Sequence, residues 1–183
     1  MRFLKNIFSQ LHRWVLWALL SAIFWGWIFG FVTDTSPAKK VTLYAQVPAC
    51  EDKALALALE AEKPEQIRMV KVHPFSYALF DAEELATADL YIVCASQVEQ
   101  FLDDFAPLDS ETIDLEGREL YTARGRAYGI KVYDAASGTG VARDYLHYAE
   151  GEDCYLFFNA TSPHLTAGDG AALQIARALL DLD

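Results

Sequence analysis

Three polar side chains follow two strand patterns in a way that suits binding of a small molecule. Gln46 lies near the end of the apolar pattern at 41–47, and Ser96 and Gln97 follow the pattern at 89–95. In an open α/β sheet, ligands bind beyond the carboxyl ends of the strands. The amide and hydroxyl groups of these three residues could therefore offer hydrogen bonds to a ligand.

Two tyrosines, Tyr77 and Tyr128, are candidates for stacking against a sugar-like ring. A structural interpretation stands beside this one, in which both rings are ordinary half-buried surface. Ser96 has the same ambiguity, because Ser96 and Glu99 form a capping box that would begin a helix. The ligand-binding and the structural hypotheses both stay open for these residues.

The cysteines are Cys50, Cys94 and Cys154, an odd number that allows at most one internal disulfide. Cys50 and Cys94 follow strands that we expect to be neighbours, so a bridge between them is possible if their Cα atoms lie within about 7 Å. No Cys-x-x-Cys motif occurs, and no Cys/His pair has the spacing of a zinc site. The sequence predicts no metal and no cofactor.

No pattern typical of catalysis is present. The neighbouring carboxylates Asp103 and Asp104 point apart if they lie on a helix, and no basic partner is near in sequence. Ser162 and His164 lack the Gly-x-Ser-x-Gly elbow, and residues 137–140 lack the lysine of a phosphate loop. We therefore predict a protein that is not an enzyme.

Residues 14–32 are 19 consecutive uncharged, mostly apolar residues that begin at Trp14, end at Val32 and include all four tryptophans. As a helix they span about 28 Å, close to the thickness of the bilayer hydrocarbon. We expect a retained transmembrane helix, since the run is longer than the usual core of a signal peptide. The alternative is a signal peptide that is cleaved after the small residues at 36–38.

Charge predicts the orientation of this helix and excludes one class of partner. The N-terminal flank has a small excess of basic residues, so we expect a cytoplasmic N-terminus and an extracytoplasmic C-terminal part in a single-pass protein of the cell membrane. Residues 41–183 have ten Lys and Arg against 25 Asp and Glu, a formal charge of −15. This acidic surface argues against binding of nucleic acid.

Beyond a linker at 33–40, residues 41–183 have the pattern of one α/β domain. Apolar strand patterns at 41–47, 67–73 and 89–95 alternate with helical patterns, which predicts a mostly parallel sheet. Residues 119–133 predict an appended β-hairpin around Gly125 and Arg126. A further buried strand at 154–158 and a final helix at about 170–182 follow, with a short helix at 141–149.

Several short motifs in residues 41–183 are similar to one lobe of the extracellular solute-binding proteins of ABC importers. Residues 88–94, and then 105–109, resemble their third strand and the turn that follows its helix. Residues 125–134 resemble their "dGk-YGiP" hairpin, with Lys131 where proline is usual. Those proteins have two lobes that close on a ligand, whereas this chain has room for about one.

The resemblance implies two functions. In the first, the domain is a membrane-anchored, non-catalytic interaction or accessory module that serves a membrane complex such as a transporter. In the second, the single lobe binds a small, sugar-like molecule weakly. We favour the accessory module, because half a clamp buries little ligand surface.

Overall fold

The computed structural model describes residues 2–33, 35–75, 88–108, 117–166 and 170–182. It divides into two compact units, residues 1–36 and 37–183. The first unit contains one long helix, α1 (Arg2–Thr33). Its segment Arg13–Gly30 is long and apolar enough to cross a membrane. The tryptophan side chains of this segment are 66–70% exposed in the isolated chain.

The described residues of the second unit form nine strands. They are β1 (Lys40–Ala45), β2 (Ala49–Cys50), β3 (Met69–Pro74), β4 (Leu90–Cys94), β5 (Leu120–Ala123), β6 (Arg126–Asp134), β7 (Thr139–Gly140), β8 (Leu146–His147) and β9 (Cys154–Phe158). The helices are α2 (Asp52–Ala61), α3 (Ala95–Phe101), α4 (Pro163–Thr166) and α5 (Ala171–Leu180), with short 3₁₀ turns at Pro37–Lys39 and Leu102–Asp104.

The main sheet has seven strands in the order β3-β1-β4-β9-β6-β5, with β7 also paired to β6. Strands β3, β1 and β4 are parallel, and β9 is inserted antiparallel between β4 and β6. Because β6 is in turn antiparallel to β9, four of the seven strands run in one direction. The predicted α/β class is confirmed, and β2 and β8 form a separate two-stranded sheet.

Two layers of side chains bury the sheet. On one face, Leu55 and Leu59 of α2 and Ile175 of α5 join a core with the inward side chains of the strands. On the other face, a more aromatic cluster includes Val98 of α3 and Phe157 of β9. All five residues of β4 and of β9 are buried, as expected for central strands covered on both faces.

Strands β5 and β6 form the predicted β-hairpin, but its turn lies one residue earlier than predicted. The two central turn residues are Arg124 and Gly125, with φ of 50° and 76°. Two successive positive φ values are typical of the tight hairpin turns that match the twist of the strands. Arg126, predicted as part of the turn, is the first residue of β6.

The helix predicted at 141–149 is wrong. Ala142 adopts a left-handed conformation with φ of 52°, which stops a helix there. The segment instead turns and forms β8, in which Leu146 and His147 pair with Cys50 and Ala49. Between the strand patterns at 67–73 and 89–95 the sequence predicts a short helix that begins at Asp81, and this position lies outside the described residues.

Candidate functional site

The carboxyl ends of β1, β3, β4 and β6 lie at one edge of the main sheet, which we call the strand-end edge. The antiparallel β9 begins at this edge, with Cys154 opposite Cys94. Gln46, Ser96 and Gln97 all lie here, as predicted from the strand patterns. The sequence could not indicate which hydrogen bonds these residues make within the domain.

The Gln46 side chain is bonded within the domain. Its Oε1 accepts the backbone N–H of Cys94 at 3.0 Å, and the backbone N–H of Gln46 donates to the Ile92 carbonyl at 2.8 Å. Strand β1 has ended at Ala45, so the amide oxygen replaces the carbonyl that a longer strand would have offered. Gln46 thus extends the β1–β4 ladder by one bond.

Ser96 is exposed in the first turn of α3 and is not its N-cap. The helix begins at Ala95, and the side chain of the cap residue Cys94 makes no capping hydrogen bond. The Ser96 N–H donates instead to Oε1 of Glu152 at 2.7 Å. The predicted capping box with Glu99 is therefore wrong, and a carboxylate far away in sequence binds this helix N-terminus.

The structure does not bring Tyr128 to the strand-end edge. Tyr128 lies near the start of β6, five residues before Tyr133, which pairs with Cys154 at the edge. Five strand residues correspond to about 16 Å. The ring is 9% exposed and belongs to the aromatic cluster with Phe157. Tyr77 lies outside the described residues.

A cluster of charges that the sequence did not predict surrounds Lys131 of β6. Its Nζ lies 2.8 Å from Asp153 Oδ2, 2.9 Å from Glu119 Oε1 and 3.4 Å from Asp134 Oδ1. The side chain is only 12% exposed. Hydrogen bonds to Asp153 and Glu119 raise the pKa of Lys131, and the bond from Lys131 lowers the pKa of Asp153. The ammonium group therefore stays charged and holds β5, β6 and the start of β9 together.

A cleft of about 630 Å³ opens beside the end of β6, between this strand and β8. The rings of Tyr133 and Tyr148 are stacked in its wall, with centroids 4.6 Å apart and planes 6° apart. Gly140 permits this stack, because a Cβ there would lie 2.8 Å from Tyr133 Cδ2. Arg143 and His147 add basic groups to the lining.

The sequence reasoning missed this cleft because β2 and β8 are short and distant in sequence, and no local pattern predicts their pairing. The glycines at 138 and 140 were the only local signal, and they indicated merely a loop. Cleft volumes of about 300–1,000 Å³ are typical of small-molecule sites. Tyr133 of β6 lines the cleft and also pairs with Cys154 at the strand-end edge, so the two regions share this residue.

The predicted Cys50–Cys94 bridge does not form in the structure. All three cysteines are free thiols, and the sulfur next to Cys94 is that of Cys154, at 3.3 Å. Cys50 lies in β2, paired with Leu146. The hydrogen bond from the Cys154 thiol lowers the pKa of Cys94, whereas the same contact and burial raise the pKa of Cys154.

At the opposite edge, a buried polar cluster explains several sequence motifs without catalysis. Asp89 accepts the Thr42 N–H at 2.8 Å and the Ser162 hydroxyl at 2.6 Å. The His164 Nε2 lies 3.0 Å from the Pro37 carbonyl oxygen. Asn159 begins the sequence Asn-Ala-Thr, which fits a glycosylation pattern, but its side chain is buried and donates to the Ala88 carbonyl at 2.7 Å. These side chains join loops to the sheet and present no reactive group to solvent.

The described residues thus define a mixed α/β domain with a polar strand-end edge and a neighbouring cleft. No family model matches the chain, and no curated protein matches its sequence. Among solved structures, the chain is similar to thiaminase I from Bacillus thiaminolyticus, with 18% sequence identity and a TM-score of 0.37. The match covers 51% of this chain and 28% of thiaminase I, so it spans little more than a quarter of that protein.

Proposed function

We propose that the chain is a single-pass membrane protein whose domain at 41–183 is a non-catalytic accessory or interaction module outside the cytoplasm. It would serve a membrane complex such as a transporter, as its resemblance to a solute-binding lobe implies. The segment Arg13–Gly30 supports the anchor, because a helix that is apolar on all sides requires a lipid or protein surround. The basic N-terminal flank supports the orientation.

One observation carries the accessory function: several polar groups at the candidate edge are already bonded within the domain. Gln46 is bonded to Cys94, Glu152 to Ser96, and Lys131 to three carboxylates. Among the described residues, every buried side-chain nitrogen and oxygen has a hydrogen-bond partner. A ligand at this edge would have to break existing bonds, which removes most of the free energy it could gain.

The anchor is tested by extraction of membranes with alkaline carbonate. The orientation is tested by adding a protease to cells from which any wall or outer membrane has been removed, while the cell membrane stays closed. We expect the chain to stay with the membrane and the domain to be digested from outside. Release of the chain by carbonate, or protection of the domain from protease, would contradict the proposal.

A second candidate function, binding of a small molecule, is favoured specifically by the cleft beside β6. Its stacked tyrosines offer an aromatic surface, and Arg143 and Glu150 offer charges of both signs. This chemistry fits a sugar or an amino acid. A ligand that binds the native state raises its melting temperature.

A panel of sugars and amino acids at millimolar concentration distinguishes the two functions. The accessory function predicts no thermal shift for the full chain in detergent. A saturable shift that is lost in Arg143→Ala, and kept in the exposed control Arg68→Ala, would establish the cleft as a ligand site instead. Arg68 does not line the cleft.

A further inference from the structure

Cys94 and Cys154 face each other across the central pair of strands, β4 and β9. They are direct partners in the antiparallel register. Beside them, the Ala95 N–H donates to the Asp153 carbonyl at 2.9 Å, and the Cys94 N–H points away from β9 to Gln46. This pattern makes Cys94 and Cys154 a non-hydrogen-bonded pair.

Non-hydrogen-bonded pairs are the ones in which cross-strand side chains come closest, with Cα atoms about 4.5 Å apart. A disulfide needs a Cα separation of about 4.4–6.8 Å. Direct partners on antiparallel strands point to the same face, and the two sulfur atoms already lie 3.3 Å apart. Only small rotations of the side chains separate this contact from a covalent bond.

We propose that Cys94 and Cys154 form a disulfide bond when the chain meets a disulfide oxidant, and that Cys50 remains a free thiol. The encounter with an oxidant rests on the proposed location outside the cytoplasm, since disulfides persist in oxidising compartments. The choice of partners rests only on the geometry of β4 and β9.

The chemistry is an ordinary thiol–disulfide exchange with oxidised glutathione or the disulfide of an exchange enzyme. The Cys94 thiolate attacks one sulfur of the oxidant, expels a thiolate and forms a mixed disulfide. The Cys154 thiolate then attacks Cys94 Sγ and expels the second thiolate. Two protein thiols are oxidised by two electrons, the oxidant is reduced to two thiols, and the two protons pass to the expelled thiolates.

Burial decides when this exchange takes place. Cys94 is 5% exposed and Cys154 is 0% exposed, so an oxidant reaches them while the domain folds or opens locally. Cys50 is a poor competitor, because burial and the charges of Asp52 and Glu51 raise its pKa to about 11. Thiolates, not thiols, are the attacking species.

The bridge would join the parallel part of the sheet (β3, β1 and β4) to the antiparallel part (β9, β6 and β5). It closes a loop between residues 60 positions apart. A cross-link of this length restricts the unfolded chain enough to raise the melting temperature of a domain of this size by about 10 °C.

The first test uses the full chain in detergent, reduced completely and then exposed to oxidised glutathione. Remaining thiols are alkylated under denaturing conditions, and linked peptides are identified by mass spectrometry. We expect one main product, with Cys94 linked to Cys154 and Cys50 alkylated. Alkylation of all three cysteines, or a bridge that includes Cys50, would overturn the proposal.

The second test measures melting with and without reductant. The oxidised wild-type chain should melt about 10 °C above its reduced form. Cys50→Ser, the matched control, should keep this difference, and the double variant Cys94→Ala/Cys154→Ala should lose it. Equal melting of the oxidised and reduced wild-type chain would contradict the proposed cross-link, and this comparison does not depend on how well a variant folds.

A third measurement separates the bridge from the location. Thiols are trapped with a membrane-permeant maleimide in living cells before lysis. A bridged chain supports both the pairing and the extracytoplasmic location. A chain that is reduced in cells but bridges selectively with glutathione contradicts the location while supporting the pairing of Cys94 with Cys154.

Discussion

Gly129 is the position where the smallest substitution should have the clearest effect on the domain. A Cβ added at Gly129 would lie 2.6 Å from Cε1 and 2.8 Å from Cζ of Phe157. Carbon atoms pack at about 3.5–4.0 Å, so the ring would have to move by about 1 Å. Phe157 is completely buried and stacked on Phe105, with ring centroids 4.4 Å apart. Movement of the ring would therefore disturb its stacking on Phe105.

The expected cost of Gly129→Ala follows from two opposing effects. Overpacking of a close-packed core costs about 1–3 kcal/mol. Loss of the glycine restricts the unfolded chain and returns about 0.4–1 kcal/mol, since φ at this position is not positive and alanine fits the backbone. From the midpoints of these two ranges the net loss is about 1.3 kcal/mol, which lowers the melting temperature by about 3–6 °C.

The assay is thermal unfolding of the full chain in detergent, with Phe157→Leu as the matched background. In that background the smaller side chain makes room, so Gly129→Ala should cost little or should stabilise the domain. An unchanged melting temperature in the wild-type background would refute the close contact. An equal loss in both backgrounds would show that the cost arises from the backbone and not from the Phe157 ring.

Two further predictions concern the strand-end edge. Gln46→Ala leaves the Cys94 N–H without its acceptor and should destabilise the domain by about 1–3 kcal/mol, while Gln97→Ala should be close to neutral in the same thermal unfolding assay. Equal effects of the two variants would contradict the structural role of Gln46. Lys131→Met should cost about 1–3 kcal/mol at neutral pH, because Asp153 loses its ammonium partner and keeps only uncharged donors such as the Ala135 N–H. The folded pKa of Asp153 is lowered, so its contribution is present above about pH 4 and is lost as the pH falls through the folded value. Between pH 2 and pH 7, the melting temperature of Lys131→Met should therefore fall less with decreasing pH than that of the wild-type chain. An equally steep fall in both proteins would be inconsistent with the pairing of Lys131 and Asp153.

Elements with a strong local pattern could be predicted from the sequence. Leu55 and Leu59 recur one turn apart, and both are buried in α2 as expected. Ile175 and Leu179 do the same in α5. The run of apolar residues at 89–95 predicted a strand buried on both faces, and β4 is one. In these segments the local periodicity and the tertiary packing agree.

Local patterns failed where a distant partner decides the structure. Residues 141–149 have a composition that permits a helix, but pairing of β8 with β2 and the left-handed Ala142 override it. Ser96 and Glu99 have the spacing of a capping box, yet Glu152 occupies the helix N-terminus. The antiparallel insertion of β9 between β4 and β6 likewise depends on contacts between residues far apart in the chain.

The position of the candidate site could be predicted from the sequence, but the hydrogen-bond partners of its side chains could not. These partners are again residues far away in the chain. The edge rule for α/β sheets located Gln46 and Ser96 correctly, because both follow strands with strong patterns. Whether such a side chain is available to a ligand depends on what lies opposite. Here Glu152 and Asp153, which precede β9, and its first residue Cys154 lie opposite. Tyr128 is not at this edge because it lies five residues before Tyr133 in β6, and no local pattern indicates where along a strand the edge falls.

Side-chain contacts join β4 and β9 at both ends of this strand pair. At the strand-end edge, Cys94 and Cys154 meet across it. At the other edge, Asp89 before β4 accepts from Ser162, and Asn159 after β9 donates to the Ala88 carbonyl. Buried polar contacts of this kind are costly to break, so the two halves of the sheet are fixed to each other at both ends. These contacts restrain β4 against β9, and this restraint is compatible with the proposed accessory module, which need not close on a ligand.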